Sequence, residues 1–434
     1  PAFADWLPEP ANDPERFPPR AELGGYFMAR LRELSEHTPA RLRLALRAEA
    51  VKGIESTRHG WWLIANGEQR GPFDEVLMTP GQPRTKPDTQ LARWQDHADR
   101  NGLDLVPAYP DHALLRAALG WAGKPVAIRG LGLSTLDVLR LLSRGRGGRF
   151  EDGRYVASGK EPARILPFSL DGHAPLPKPA SADVDQLFDP LPEETDAFAS
   201  ALARAIRQEP DEALRTICVA IRKPVTRILC HQGVSDDVVA WLETERDNPG
   251  AQETRSAVAT LRAGIAMAHG EQPPSAGFAV GQVWRKWQDT LRRGFNPGSA
   301  TPETASALVR FDEGLKRFSY GPPVRSAEEL LMLIEAEIVD LRAVEDPDIV
   351  LTPSGWRLVE DDTSAEVVAM VDAVLPSPDL GAVTDPLIAG LCDAGTLCPL
   401  VDGLGARLTP DAQVIGRDGN SAPGLSLLGR MALG

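Results

Sequence analysis

The clearest apolar pattern lies between residues 125 and 142. Residues 126–128 form a short apolar run, which is typical of a strand buried on both faces. Gly130 and Gly132 follow and predict a tight turn, because glycine adopts backbone angles that other residues avoid. Leucines then recur at helical spacing, at 136, 139 and 142, and predict a helix that opens at Ser134–Thr135. The chain is organised around this strand, glycine turn and helix.

The pattern elsewhere alternates between sheet and helix. It predicts a helix over 25–36, a strand over 41–55, a hairpin turn at Asn66–Gly67 and a buried strand over 367–375. From about 190 to 344 the apolar positions follow helical spacing, and Ser326 and Glu329 have the spacing of a capping box. The prediction is an α/β protein with a mostly helical region inserted between α/β segments.

Composition narrows the class of protein. The chain has 434 residues, 42% of them hydrophobic and 25% charged, which is ordinary for a globular protein. Its net charge of −14 argues against a nucleic-acid or membrane surface, and no apolar run approaches the ~20 residues of a membrane span. The four cysteines form no C-x-x-C pair and the seven histidines are scattered. These features predict a cytoplasmic protein without a metal site.

The glycine turn is a candidate phosphate-binding site. Free N–H groups and the dipole at a helix N-terminus attract anions, and the G-x-G-x-x-G turn of dinucleotide-binding folds uses both. Thr135 stands where the third glycine of that pattern would be. The candidate cofactor-binding residues here are Gly130, Leu131, Gly132, Ser134 and Thr135. The alternative is a tight turn before a packed helix with no ligand.

Three arginines beyond this helix favour a phosphorylated nicotinamide cofactor. Arg144, Arg146 and Arg149 lie in a glycine-rich loop, close to where the second strand of the unit is expected to begin. An arginine near that strand suits the 2′-phosphate of NADP, whereas an acid such as Glu151 would suit the ribose of NAD. The arginines favour NADP, and the alternative is a solvated basic loop.

Six segments resemble one family of bacterial FAD/NAD(P)-binding proteins. Residues 129–139 (RGLGLSTLDVL), 145–150 (GRGGRF) and 318–324 (FSYGPPV) are the most specific, and 74–83, 158–162 and 423–430 agree with them. The family consists of flavoproteins with two dinucleotide-binding domains. It is similar to the N-hydroxylating flavin monooxygenases, some of which oxidise the amine of aspartate to nitrosuccinate.

The resemblance implies a domain organisation and a further set of cofactor contacts. It implies two Rossmann-like domains, the FAD domain incomplete because its first glycine fingerprint lies upstream, with a helical insertion. The implied boundaries are a partial FAD domain (1–85), an NAD(P) domain (86–190), the insertion (191–344) and a return to the nucleotide-binding domains (345–434). Thr79, Gly81 and Gly429 are the implied FAD contacts. Relatives often carry an acid after that last glycine, where this chain has Arg430.

The resemblance also implies a reaction. NADPH would reduce FAD, and one oxygen of O2 would pass to the amine of an amino acid or a similar small substrate. The protein would form no complex with nucleic acid or membrane, and a homo-oligomer is compatible with it. An anionic substrate would need a cationic clamp, and the helical region offers four candidates, namely Arg222, Lys223, Arg227 and Arg317.

Two alternatives to this reaction stay open. One is a flavin-dependent reductase or dehydrogenase without oxygen insertion. The other is a non-catalytic scaffold that keeps the Rossmann turn only for packing. No catalytic residue is singled out by the sequence.

Overall fold

A computed structural model describes residues 2–7, 17–18, 20–37, 42–295, 299–345 and 348–432. Its strands, in chain order, are β1 (Val51–Thr57), β2 (Gly60–Ala65), β3 (Glu68–Phe73), β4 (Val76–Met78), β5 (Asp104–Pro107), β6 (Pro125–Arg129), β7 (Arg149–Glu151), β8 (Arg154–Val156), β9 (Arg164–Ser169), β10 (Arg342–Ala343), β11 (Ile349–Thr352), β12 (Gly355–Glu360), β13 (Thr363–Val367), β14 (Ala369–Asp372), β15 (Gln413–Ile415) and β16 (Ser421–Leu427).

The helices lie mostly between β9 and β10. In chain order they are α1 (Phe3–Trp6), α2 (Arg20–Glu36), α3 (Thr89–Asn101), α4 (Asp111–Ala117), α5 (Leu133–Leu142), α6 (Ala182–Gln186), α7 (Pro192–Ala205), α8 (Pro210–His231), α9 (Val238–Asp247), α10 (Ala257–His269), α11 (Ala276–Lys286), α12 (Gln288–Gly294), α13 (Pro302–Ser319), α14 (Val324–Glu335) and α15 (Pro386–Asp393).

A five-stranded parallel sheet forms the centre of the fold. Its strand order is β10-β9-β6-β14-β5, and each neighbouring pair is parallel. The chain leaves β6 through α5 to reach β9 on one side, and it later adds β14 on the other side of β6. The order therefore reverses between β6 and β14, which is where open α/β sheets bind ligands, at the carboxyl ends of their strands.

The predicted strand–turn–helix unit is present. Val126, Ala127 and Ile128 are fully buried in β6, as expected for the central strand of a covered parallel sheet. Leu136, Leu139 and Leu142 on α5 are buried in the core that covers one face of this sheet. Together with the parallel sheet topology, this unit confirms the predicted α/β class with a Rossmann-like dinucleotide-binding domain.

Helices α6 to α14 surround a separate apolar core. Phe198 and Trp287 stack at its centre with ring centroids 4.3 Å apart, and Trp284 packs edge-on against Phe198. The helical region begins after β9 and returns to the sheet at β10, whose Arg342 lies opposite Phe168 of β9. Strands from three of the four predicted domains thus share one sheet, and the predicted boundaries stay a prediction.

A smaller sheet has the order β15-β16-β4. Its β4 and β16 run parallel with Met78 opposite Leu427, and the Leu428 N–H donates to the Met78 carbonyl at 3.0 Å. The carboxyl ends of both strands therefore leave the sheet side by side.

Two local predictions are wrong. The strand predicted over 41–55 is β1, which begins only at Val51, and residues 42–50 are extended without strand pairing; residue 41 lies outside the described residues. Ser326 and Glu329 form no capping box, because α14 begins earlier, after Pro323. Their side chains instead accept hydrogen bonds from Arg140 of α5, at 2.9 Å and 2.6 Å, and tie the helical region to the sheet domain.

Candidate functional site

Gly130 closes the turn at the point where the strand order reverses. Its φ is +100°, a region that favours glycine, and its N–H donates to the Phe168 carbonyl of β9 at 2.9 Å. A Cβ built on Gly130 would lie 3.1 Å from Val374 Cγ2, just beyond β14. Gly130 is therefore needed for the close approach of three neighbouring strand ends.

Gly132 leaves the N-terminus of α5 open. It is the N-cap residue and offers no side chain to the first turn, and a Cβ built on it would meet nothing within 4 Å. Thr135 is fully buried, and its hydroxyl donates to the Gly130 carbonyl at 2.8 Å, so it holds the turn without blocking the helix N-terminus. An open N-terminus beside a side-chain-free backbone suits a dinucleotide phosphate, so the residues present fit that group.

The turn opens into a cavity of about 930 Å³, here called the main cavity. Four parts of the chain line it: residues 130–134 of the turn, the end of β9 with the loop after it, the loop after β14, and helices α7, α8 and α11 to α13 of the helical region. Arg430 and Ala432, which follow β16, complete the wall. The glycine turn, the end of the smaller sheet and the helical region therefore meet at one cavity.

An ion pair joins the loop after β9 to the helical region. Asp171 Oδ2 lies 2.7 Å from Nη1 of Arg317 on α13, and Asp171 Oδ1 accepts from the Ser169 hydroxyl at 2.8 Å and from the His173 N–H at 3.1 Å. Burial alone would raise the pKa of Asp171, but these hydrogen bonds and the Arg317 cation outweigh it and hold the pKa below its ordinary value. Asp171 is therefore charged at neutral pH and fully engaged.

His173 lines the same wall with a neutral ring. The pKa of His173 is lowered, first by burial and next by the Arg317 cation. The carboxylates of Asp171 and Glu253 act in the opposite direction but are outweighed. The Nδ1 of His173 is buried without a hydrogen-bond partner in the part of the chain that the structure describes. The same holds for Nε of Arg317 and Nε of Arg430. These three side chains line the main cavity, but their unpaired nitrogens are themselves buried, as are five further unpaired side-chain atoms elsewhere in the described ranges.

The opposite wall carries a hydrogen-bonded chain of side chains. The Tyr320 hydroxyl donates to Gln288 Oε1 at 2.7 Å and accepts from Arg292 Nη2 at 3.1 Å. Asp312 Oδ1 accepts from Trp284 Nε1 at 2.8 Å and from Gln288 Nε2 at 3.3 Å. Each member has a fixed partner, so this wall is rigid and offers Arg292 as its cation.

The implied FAD contacts leave the smaller sheet together. Thr79 and Gly81 follow β4, and Gly429 follows its parallel neighbour β16. Gly81 and Gly429 have φ values of +68° and +97°, and a Cβ on either would meet nothing within 4 Å. Arg430 turns into the main cavity, and its Nη2 donates to the Pro376 carbonyl at 2.8 Å. The roles of these residues stay predictions.

The three arginines of the glycine-rich loop lie away from the main cavity. Helix α5 has ten residues and carries the chain ~15 Å back from the turn, toward the amino ends of the strands. There Arg146 Nε donates to the Lys160 carbonyl at 3.3 Å, Arg149 pairs with Glu151, and Arg144 is exposed. A hairpin of β7 and β8 intervenes before β9, so the loop lies apart from the carboxyl ends of the parallel strands, and a role of its arginines in binding NADP stays a prediction.

Of the four cationic candidates for a substrate clamp, Arg317 alone lines the main cavity. Arg227 makes a bidentate pair with the buried Glu194, and Arg222 and Lys223 are exposed on α8. Sequence reasoning missed Asp171, His173 and Arg430. A signal for the first two was present, because they follow an apolar run at 165–168 that has the composition of a second parallel strand.

The described ranges also bear on metal binding and on membrane insertion. There, no group of three or more His, Cys, Asp or Glu side chains is placed to hold a metal ion. None of the helices described is both long enough and apolar enough to cross a lipid bilayer.

The fold and the turn define a dinucleotide-binding protein. A family described as FAD-NAD(P)-binding matches residues 1–83. The chain is 25% identical to nitrosuccinic acid synthase of Aspergillus oryzae over 90% of this chain and 68% of that protein. It is 26% identical to an L-aspartate N-monooxygenase (nitrosuccinate-forming) of Streptomyces cremeus over 88% of this chain and 65% of that protein. A protein of the same description from Streptomyces davaonensis is 35% identical over 104 residues, 23% of this chain and 16% of that protein.

These similarities confirm the predicted relationship. The chain is a relative of FAD- and NAD(P)-binding flavoproteins, and the class predicted from its sequence, a flavin-dependent oxidoreductase, is confirmed. It spans about two thirds of the length of the relatives that it matches most fully, 68% and 65%. The reaction and the substrate of the whole protein are therefore matters for proposal.

Proposed function

We propose that the protein is an FAD- and NADPH-dependent monooxygenase that oxidises the amine of an acidic amino acid, aspartate being the first candidate. The main cavity carries the proposal, because the glycine turn, the end of the smaller sheet and the helical region all contribute to its wall. Relatives described as aspartate N-monooxygenases and as a nitrosuccinic acid synthase support this substrate.

The size and lining of the cavity suit such a reaction. About 930 Å³ lies within the range of ligand sites, and apolar side chains such as Leu202, Leu291 and Phe295 make up much of its wall. Apolar walls exclude water and strengthen electrostatic contacts in the site. FAD, when bound, supplies the oxygen chemistry.

The chain's own residues would bind and orient the reactants. Gly132 and Ser134 would receive a dinucleotide phosphate at the N-terminus of α5. Arg292 would attract a substrate carboxylate, because its Nη2 is held by the Tyr320 hydroxyl and its ion pair with Asp289 is long, at 3.9 Å, and exposed to solvent. The chain from Tyr320 through Gln288 to Asp312 would hold that cation in place.

The test uses the full-length protein. Its visible spectrum is recorded before and after NADPH or NADH is added in air, and NADPH and O2 consumption are then followed with and without aspartate. The expected result is a bound flavin, bleached faster by NADPH, and aspartate-dependent consumption of both with nitrosuccinate as product. A Gly132→Ala variant should need about tenfold more NADPH for the same rate of bleaching. Gly390→Ala, at an exposed helical position with open space around it, is the matched control.

Two results would overturn the proposal. Bleaching by NADPH without any amine-dependent O2 consumption would indicate a reductase or dehydrogenase. A colourless protein that added FAD cannot restore, and that binds neither nicotinamide cofactor, would indicate a scaffold. Light scattering on the same sample would measure the oligomeric state, for which a homo-oligomer stays a prediction.

A further inference from the structure

The carboxyl end of β9 is the place where this fold distinguishes NADP from NAD. In a Rossmann unit the second strand lies beside the first, and a residue at its carboxyl end contacts the adenosine ribose. Here β9 is that second strand, parallel to β6 and joined to the glycine turn by the Gly130 hydrogen bond. Ser169 ends this strand, Asp171 and His173 follow it, and all three line the main cavity together with the turn.

An acid at this position would ordinarily accept from the ribose hydroxyls of NAD. Asp171 is not free to do so. One of its oxygens is held by the Ser169 hydroxyl and the His173 N–H, and the other by Arg317. Both oxygens of the Asp171 carboxylate are therefore occupied. One positions Arg317, and the other shapes the turn that carries His173.

The cation that remains at this wall is Arg317, with His173 beside it. Asp171 uses only Nη1 of the guanidinium, and Nε is buried without a partner among the described residues, so Nη2 is the nitrogen left for a ligand. The His173 ring lies next to it, with its Nδ1 buried. Both side chains line the main cavity on the same side as the carboxyl end of β9. A planar guanidinium with spare donors is well suited to phosphate oxygens.

We propose that Arg317, assisted by His173, binds the 2′-phosphate of NADPH, and that the Arg144–Arg149 loop does not. The inference rests on the proposed function and specifies its cofactor site. The residue that selects NADP therefore comes from the helical region and not from the nucleotide-binding unit itself. Asp171 is a positioning residue that holds Arg317 at the strand end.

The experiment measures dissociation constants of NADP+ and NAD+ by titration calorimetry on the full-length protein. Arg317→Met should weaken NADP+ binding about 30-fold, the size expected for a charge-assisted hydrogen-bonded pair, and NAD+ binding less than about 3-fold. Arg317→Lys, which keeps the charge but loses the planar donors, should fall between wild type and Arg317→Met.

Removing Arg317 alone would uncover the Asp171 carboxylate, which would itself repel a phosphate. The double variant Asp171→Asn/Arg317→Met removes that repulsion, so a persistent loss of NADP+ preference there isolates the guanidinium. A triple variant, Arg144→Met/Arg146→Met/Arg149→Met, tests the rival site and should change both constants less than about 2-fold, as expected for a solvated loop.

Three outcomes would overturn the inference. In the first, Arg317→Met weakens NADP+ and NAD+ equally, which would make Arg317 a general structural or substrate residue. In the second, the double variant regains the preference for NADP+. In the third, the triple variant loses it. A wild-type protein that binds neither dinucleotide would instead overturn the proposed function, so the two failures are distinguishable.

Discussion

The two edges of the parallel sheet hold their polar side chains in different ways. At the amino edge, the buried Glu161 accepts from the Tyr155 hydroxyl at 2.7 Å and from the Ser158 N–H at 2.8 Å. At the carboxyl edge, His173 and Arg317 keep buried nitrogens without a partner in the described chain. A closed set of hydrogen bonds contributes to stability, whereas unpaired donors are costly unless a ligand or water supplies an acceptor. Under the proposal above, the closed set at the amino edge is structural and the side chains at the carboxyl edge bind a ligand.

Replacing Arg227 is expected to have the largest effect on stability. The buried Glu194 of the helical region resembles Glu161, because its hydrogen bonds come from within the protein, two of them from Arg227. Arg227→Met would leave the carboxylate of Glu194, which is 3% exposed, without its bidentate partner. We expect the free energy of unfolding to fall by about 3–5 kcal/mol, as for other broken buried pairs. Urea denaturation measures it. An unchanged stability together with a raised KM for the substrate would instead return Arg227 to the binding residues.

A substitution at Gly130 tests whether the carboxyl edge depends on the close approach of its strand ends. Gly130→Val places a branched side chain at a φ of +100° and against Val374. We expect a loss of about 3 kcal/mol in unfolding free energy, together with NADP+ binding weakened more than about tenfold. Denaturation and calorimetry measure the two effects. A variant as stable as wild type would show that the turn relaxes and that the strand ends need not approach so closely.

Replacing Glu161 should lower stability without changing NADP+ binding. Glu161→Ala removes the acceptor for Tyr155 and Ser158, and we expect the free energy of unfolding to fall by about 2 kcal/mol. The dissociation constant for NADP+ should stay within about twofold of wild type, since Glu161 lies at the opposite edge from the main cavity. A tenfold loss of NADP+ affinity would contradict the separation of the two edges.

The pH dependence of the unfolding free energy should reflect the hydrogen bonds that Glu161 accepts. Burial raises the pKa of Glu161, but the hydrogen bonds from Ser158 and Tyr155 outweigh it and hold that pKa below its ordinary value. The stabilisation is then fully present above the unfolded-state pKa of about 4.3 and is lost as pH falls through the folded-state value. Urea denaturation of wild type and Glu161→Gln between pH 3 and 7 should give a difference that is constant at the upper end and shrinks at the lower. A difference that grows on acidification would contradict this.

Gly132 gives the smallest effect on stability and a selective effect on binding. Its φ is −89° and the space around it is open, so Gly132→Ala should change unfolding free energy by less than about 0.5 kcal/mol. The added methyl group would occupy the approach to the N-terminus of α5, so NADP+ binding should weaken about tenfold, or about 1.4 kcal/mol. Equal NADP+ affinity in the two proteins would place the phosphate elsewhere.

Local signals predicted the central unit of the fold, because its determinants are adjacent in sequence. The apolar run, the two glycines and the leucines at helical spacing lie within 18 residues, and all appear in the structure as expected. The Ser326 and Glu329 pair shows the limit of such signals. The same spacing suits a cap or two polar positions on one helix face. The helix begins earlier, after Pro323, and both side chains are buried against Arg140 of α5.

The main cavity could not be predicted from local sequence patterns. His173, Arg317 and Arg430 are separated by more than a hundred residues from one another and are joined only by the order of strands and the return of the helical region. The arginine loop shows a related limit. Its position after α5 matches the expected distance along the chain, but the hairpin of β7 and β8 delays the next parallel strand, so the carboxyl end of β9 lies some twenty residues further on.

The entry and exit of the helical region lie on neighbouring strands. Phe168 before it and Arg342 after it are paired across β9 and β10, so more than 170 residues begin and end about one strand spacing apart. A region attached at two adjacent points can change in length and sequence while the register of the parallel sheet is kept. With the roles proposed above for Arg317 and Arg292, both carried by this region, coenzyme preference and substrate choice would change together in one exchange, without any change to the nucleotide-binding strands.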